Sequence, residues 1–177
     1  MIKSITSILI VLLAWAAVGC ASSAKPEAMI SVPAAPVHHS ASDLVVTAIG
    51  GKETSAMLVS QISNEDFALA LRDSFNKAGL FKKALASGPA RYVLDAFIVQ
   101  LNQPMFGASM TVSMEVSYTL SRTEPKEVIL KKGISSTYTA AFGEAFIGAT
   151  RLQIANEGAA RKNIEQVIQE ISSLKLD

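Results

Sequence analysis

The apolar positions of this chain change period several times, and each change marks an element. In the cleanest run, Met110, Val112, Met114, Val116, Tyr118 and Leu120 alternate with Thr111, Ser113, Glu115, Ser117, Thr119 and Ser121. A period of two over that length predicts a strand with one face on a core and the other in water. Upstream, Tyr92 to Leu101 is β-rich and apolar on both faces except for Asp95 and Gln100, which predicts a strand largely covered on both sides. Glu127 to Tyr138 returns as the last strand of an antiparallel meander, with turns at Gln103–Gly107 and Thr123–Lys126. Leu44 to Ile49 is a further short β-rich run closed by Gly50-Gly51. Met57-Leu58-Val59 is a candidate for an additional short strand.

Two segments switch to helical spacing. Ser63 can cap free amides, Glu65 and Asp66 favour the positive end of a helix dipole, and Phe67, Leu71, Phe75 and Ala78 recur on one face before Gly79 stops the helix. From Ala149 to Ser173, Leu152, Ala155, Ala159, Ile164, Val167, Ile168 and Ile171 mark a core face. Arg151, Glu157, Arg161, Lys162 and Glu165 fall on the other, solvent-facing side. Gly158 costs about 1 kcal/mol relative to Ala and marks a place for this helix to bend or divide, while its small neighbours allow close approach to a sheet. The order β-α-β-β-β-α predicts an α+β fold over residues 43–177: a two-layer sandwich whose mainly antiparallel four-stranded sheet carries both helices on one face.

The start of the chain has a different character. After Met-Ile-Lys, an apolar run from Ile5 to Val18 is interrupted only by Thr6 and Ser7 and closes on Ala17-Val18-Gly19-Cys20, the composition of an export signal. At about 1.5 Å per residue the run covers only about two thirds of the roughly 30 Å hydrocarbon core, so it is short for a permanent span. Cys20 is the one cysteine, so it has no internal disulfide partner. Ala17-Val18-Gly19-Cys20 resembles the lipobox of bacterial lipoproteins, which implies cleavage before Cys20 and acylation of that residue; Ala17-x-Gly19 also satisfies an ordinary secretory cleavage site. Within the Gram-negative lipoprotein pattern, Ala21 in place of Asp implies the outer membrane, with the body facing the periplasm. Residues 1–19 are thus expected to be a signal peptide, and 20–42 a lipidated Cys with a disordered Ala/Pro/Ser tether spanning on the order of 25 Å. The tether's His38-His39 pair lacks a third ligand for a metal.

Charge narrows the functional classes. The chain has 16 basic and 15 acidic residues, and loss of Lys3 with the signal balances them, which argues against a broad nucleic-acid surface. No cofactor motif is present: Gly50-Gly51-Lys52-Glu53-Thr54 lacks the upstream glycine of a phosphate loop and reads as a turn. The histidines lie in the tether, and no Gly-x-Ser-x-Gly elbow occurs. A carboxylate pair, Asp95 with Glu115, leaves a hydrolase as a minor alternative, against the plainer reading of Asp95 as solvent-facing or paired with a residue such as Lys131.

Contact surfaces are the stronger theme. Met105 and Phe106 sit at a turn, and Phe142, Phe146 and Ile147 sit in the connection before the last helix, where they either cap the core or form an exposed patch for a partner protein or a lipid chain. Lys82, Lys83, Lys131 and Lys132 are candidate contacts for anionic lipid, or simply solvated surface. The lipobox, the tether and the element order together resemble the small envelope lipoproteins that accompany lipopolysaccharide transport or ABC-type lipid transporters. That resemblance implies a non-catalytic, membrane-anchored adaptor with a protein partner in the envelope and no nucleic acid. The alternative is a carrier enclosing a lipid-like ligand, for which a buried apolar cavity would be the sign.

Overall fold

A computed structural model describes residues 22–32, 40–54 and 60–176. The lipobox, the His38-His39 pair and Met57-Leu58-Val59 lie outside the described residues. In chain order the elements are α1 (Pro26–Met29), β1 (Asp43–Ile49), α2 (Asn64–Ala78), β2 (Lys83–Leu85), β3 (Tyr92–Asn102), β4 (Met110–Arg122), β5 (Glu127–Ala140), a 3-10 turn (Phe142–Glu144) and α3 (Gly148–Ser172). The five strands form one sheet in the order β2-β1-β3-β4-β5. The expected sheet is corrected in two respects. It has five strands, not four, and it is mixed, because β1 runs parallel to both β2 and β3 while β3, β4 and β5 form the antiparallel meander.

The elements form for the reasons their sequences suggest. Ser63 Oγ accepts the Asp66 backbone N–H at 3.0 Å to open α2, and Gly79, in the left-handed region at φ 67°, closes it with an N–H donated to Phe75 O. Phe67, Leu71 and Phe75 are fully buried, as are Val112, Val116, Tyr118 and Leu120 on the inward row of β4. Tyr118 keeps its hydroxyl satisfied inside this core by donating to Asn163 Oδ1 at 2.8 Å, and burial pushes that hydroxyl well above its ordinary pKa of 10.0.

Three readings change on contact with the structure. First, β3 is covered on one face only: Tyr92, Leu94, Ala96 and Ile98 point inward, whereas Phe97 and Val99 are each 47 % exposed. A bulge explains the misleading pattern, since Ile98 pairs with Val116 and Gln100 with Glu115, leaving Val99 as the extra residue. Second, α3 runs unbroken through Gly158. That glycine lets Tyr138 of β5 lie against the helix, because a Cβ there would fall 2.5 and 2.6 Å from the ring's Cδ1 and Cδ2.

Third, part of the presumptive tether is packed. Residues 24–31 cross the helix layer between α2 and α3, with Ala24, Met29 and Ser31 buried. Their polar contacts trace the path. The Ala24 N–H donates to Gln61 O at 3.1 Å, the Lys25 N–H to Glu157 Oε1 at 2.9 Å, and the Ser31 N–H to Ser74 Oγ at 3.0 Å. Arg161 Nη1 in turn donates to Ala28 O at 2.7 Å. This clasp covers the side of α3 expected to face solvent, so Glu157 is buried instead.

Candidate contact surfaces

One end of the sheet gathers the C-terminal ends of β1, β3 and β5 and the N-terminus of β4, since Met110 pairs with Ala140 and Asn102 with Ser113. The β3–β4 loop and the β5–α3 connection both project there. Sequence reasoning placed Met105 and Phe106 in the first and Phe142, Phe146 and Ile147 in the second, and the structure brings all five to this end. Their exposures are 88 %, 86 %, 52 %, 85 % and 59 % in that order, so they do not cap the core. Phe142 and Phe146 meet edge to face with centroids 5.9 Å apart.

What holds the two loops together is a residue expected on the solvent side of α3. Arg151 is only 5 % exposed. Its Nη1 donates to Ala145 O at 2.6 Å and Phe146 O at 2.9 Å, its Nη2 donates to Gly107 O at 3.2 Å, and its guanidinium lies 5.1 Å from the Phe142 ring centroid. A planar fork thus ties backbone carbonyls of both loops to the first turn of α3. Nothing in the sequence pairs Arg151 with Gly107, 44 residues away. An arginine immediately after an aromatic-rich connection is the only available hint.

The open face of the sheet is the second surface. It carries hydroxyl pairs, Thr111 with Thr139 at 2.9 Å and Ser113 with Thr137 at 3.3 Å, beside an apolar strip of Ile49, Phe97 and Val99. Asp95 lies on this face and accepts from Thr47 Oγ1 at 2.6 Å. Its register partner Thr119 is four residues along β4 from Glu115, about 13 Å at strand spacing. The roughly 5–9.5 Å separation used in glycoside hydrolysis is therefore not reached. A cleft of about 290 Å³ at the edge of this surface is lined by Gly50, Gly51, Gln61, Gln100 and Asn102 among others, and is polar rather than apolar.

The lysines do not converge. Lys82 and Lys83 flank one edge strand and Lys131 and Lys132 sit on the other, four strand spacings or about 19 Å apart. Lys132 is paired with Glu170 at 2.7 Å. Lys131 pairs in register with Thr119, nine residues along β4 from Met110, so it stands about 30 Å from the end that bears the aromatic cluster. Among the described residues no group of His, Cys, Asp and Glu could hold a metal, and no helix is long and apolar enough to cross a membrane.

No protein-family model and no curated protein sequence matches this chain. Solved structures do match in fold. A Xanthomonas campestris protein of the DUF330 family superposes with a TM-score of 0.58 at 11% identity, covering 78% of this chain and 88% of its own. A candidate lipoprotein from Caulobacter crescentus gives 0.52 at 12% identity over 73% and 88%. The uncharacterised lipoprotein B of Nitrosomonas europaea gives 0.51 at 10% identity over 81% and 90%. At such identities the likeness is one of fold: this chain has an α+β architecture that bacterial lipoproteins also have.

Proposed function

We propose that this protein is a lipid-anchored, non-catalytic contact module of a bacterial envelope assembly. Its anchor is acylated Cys20, and the open face of its sheet is directed at a protein partner. The observation that carries the reading is the distribution of apolar surface. Large apolar side chains stand exposed at the loop end and on the open sheet face, while among the described residues one continuous cluster of buried apolar side chains lies between helices and sheet. A carrier needs the reverse arrangement, an apolar chamber of about 300–1,000 Å³. The fold shared with bacterial lipoproteins supports the anchored reading, and the outer membrane is the membrane we assign from Ala21.

The test places a photo-crosslinking amino acid at Phe97 on the open face and, as a control, at Lys126 in the distal turn, in intact cells. The expected result is a discrete adduct with one envelope protein from Phe97 and none from Lys126. Recovery of the monomer alone from both positions, repeated across growth conditions, overturns the adaptor reading. Stoichiometric lipid in an organic extract of the purified protein transfers the assignment to a carrier.

A further inference from the structure

We propose that the end of the molecule formed by Met105, Phe106, Phe142, Phe146 and Ile147 dips into the interfacial layer of the membrane that holds the acyl chains of Cys20. The proposal rests on the reading of Cys20 as lipidated, and adds to it a fixed orientation of the body on the bilayer.

The argument is one of chain length. Ala24 is buried and its N–H is bonded to Gln61 O, and the next N–H, of Lys25, is held by Glu157 in α3. Cys20 precedes Ala24 by four residues, which span about 14 Å at full extension. Glu157 lies nine residues beyond Gly148, the first residue of α3, so the point of attachment sits about 14 Å above that helix start. The leash and the height are therefore equal at best. With α3 upright on the bilayer, acyl chains on Cys20 reach the hydrocarbon when the start of α3 is brought down to the headgroups.

The direction of the leash agrees. From Lys25 onward the clasp runs away from the loop end, past Arg161 and Ser74, so the residues before it head toward that end. Ser22 and Ser23 share a shallow cleft with Thr54 and with Asp66 in the first turn of α2. Gln61, which receives the Ala24 N–H, donates its side-chain amide to Gln103 at 3.3 Å, and Gln103 directly precedes Pro104-Met105-Phe106. Ala24 and the aromatic cluster are thus joined through one backbone and one side-chain hydrogen bond.

The chemistry of the end suits a bilayer interface. Arg151 fixes both loops, so the exposed rings are presented together without ordering on contact. The candidate lysines stand about 26 Å or more from Met110 along the sheet, and the nearer Lys162 is held against Thr137 O and the Tyr138 ring, so apolar burial of the five side chains is the main attraction at this end. Association of the end with lipid should therefore persist at high salt and without anionic lipid.

The sequence supplies its own optical test. Trp15 is the only tryptophan and lies within the expected signal, so the mature protein has no tryptophan emission of its own. Phe146→Trp or Phe106→Trp, each at a strongly exposed site, introduces a sole emitter at the loop end, and Val128→Trp one at the opposite end, about 36 Å away along the sheet. The full lipidated protein is reconstituted into phosphatidylethanolamine vesicles, with and without phosphatidylglycerol, containing lipids brominated high in their acyl chains. At a depth of about 5–10 Å the Phe146→Trp and Phe106→Trp emission should shift to the blue and fall by about half, while Val128→Trp emission stays unchanged. Unquenched emission from both loop-end variants, or equal quenching of all three, overturns the proposal. Emission that is water-exposed in vesicles but protected in isolated native membranes also overturns it, because a protein then covers this end. The mass of the amino-terminal peptide separates the two readings: an unmodified Cys20 removes the anchor itself, whereas an acylated Cys20 with water-exposed emission removes only the orientation.

Discussion

Gly158 faces the Tyr138 ring so closely that one methyl group decides the sign of a stability change. In an exposed helix, Gly→Ala stabilises by about 1 kcal/mol through backbone entropy. Here the new Cβ would lie 2.5 Å from Tyr138 Cδ1 and nearer still to Cγ, where an ordinary contact is about 3.5–4.0 Å. Cγ is the root of the ring, so the side chain cannot swing its tip aside. Relief requires α3 to retreat from β5 by about 1 Å, or Tyr138 to leave its rotamer and its 3.2 Å hydrogen bond to Glu144 Oε2. Overpacking of this kind costs about 1–3 kcal/mol, and a ring met at its root belongs at the upper end. The net effect of Gly158→Ala should be a loss of about 1–2 kcal/mol. For a body of this size that lowers Tm by about 3–6 °C. In a Tyr138→Ala background the obstacle is gone and the same substitution should stabilise by up to about 1 kcal/mol, a coupling of about 2–3 kcal/mol. Urea unfolding of the Cys20→Ser form made without residues 1–19, followed by circular dichroism across the four-member cycle, measures it. An equal effect of Gly158→Ala in both backgrounds, or stabilisation in the parent, refutes the close-approach account.

Other outcomes follow from the same coordinates. Met29→Ala removes a fully buried side chain from the clasp and should cost about 2–4 kcal/mol, lowering Tm by about 6–12 °C; a tether would register no change in the same melt. Arg151→Met should raise hydrogen exchange in residues 104–109 and 141–147 together, and Arg151→Lys should not restore protection, because a single ammonium cannot reach all three carbonyls. The raised Tyr118 pKa favours the neutral hydroxyl in the folded state; that preference is fully present below about pH 10, the unfolded value, and is lost as pH rises further. Thermal melts should therefore fall more steeply above about pH 10 in the parent than in Tyr118→Phe, which should itself be less stable near neutrality by about 1–2 kcal/mol for the orphaned Asn163 carbonyl.

The residues explain which features could be read from the chain. β4 was legible because its 13 residues keep one period without interruption. α2 was legible because cap, apolar stripe and terminating glycine agree. β2 was not, because three residues carry no measurable period. β3 misled because the bulge at Val99 and the exposed Phe97 put apolar residues on the open face, imitating a strand covered twice. The clasp reads as tether because its composition is that of a linker, and only Ala24 and Met29 of this short segment reach the core. Of the contact surfaces, the aromatic end was legible, since large apolar residues beside turn signals have few reasons to be there. The arginine that organises it was not, because its partners are backbone carbonyls, and a carbonyl has no letter in a sequence.

The clasp also orders events during biogenesis. Lys25 and Ala28 are held by Glu157 and Arg161, groups 132 and 133 residues further along the chain. During synthesis the amino-terminal residues emerge first and wait for a helix that emerges last. Until α3 has formed and docked, Lys25 and Ala28 lack these two partners. Seating of the clasp and docking of the carboxyl-terminal helix are therefore one event.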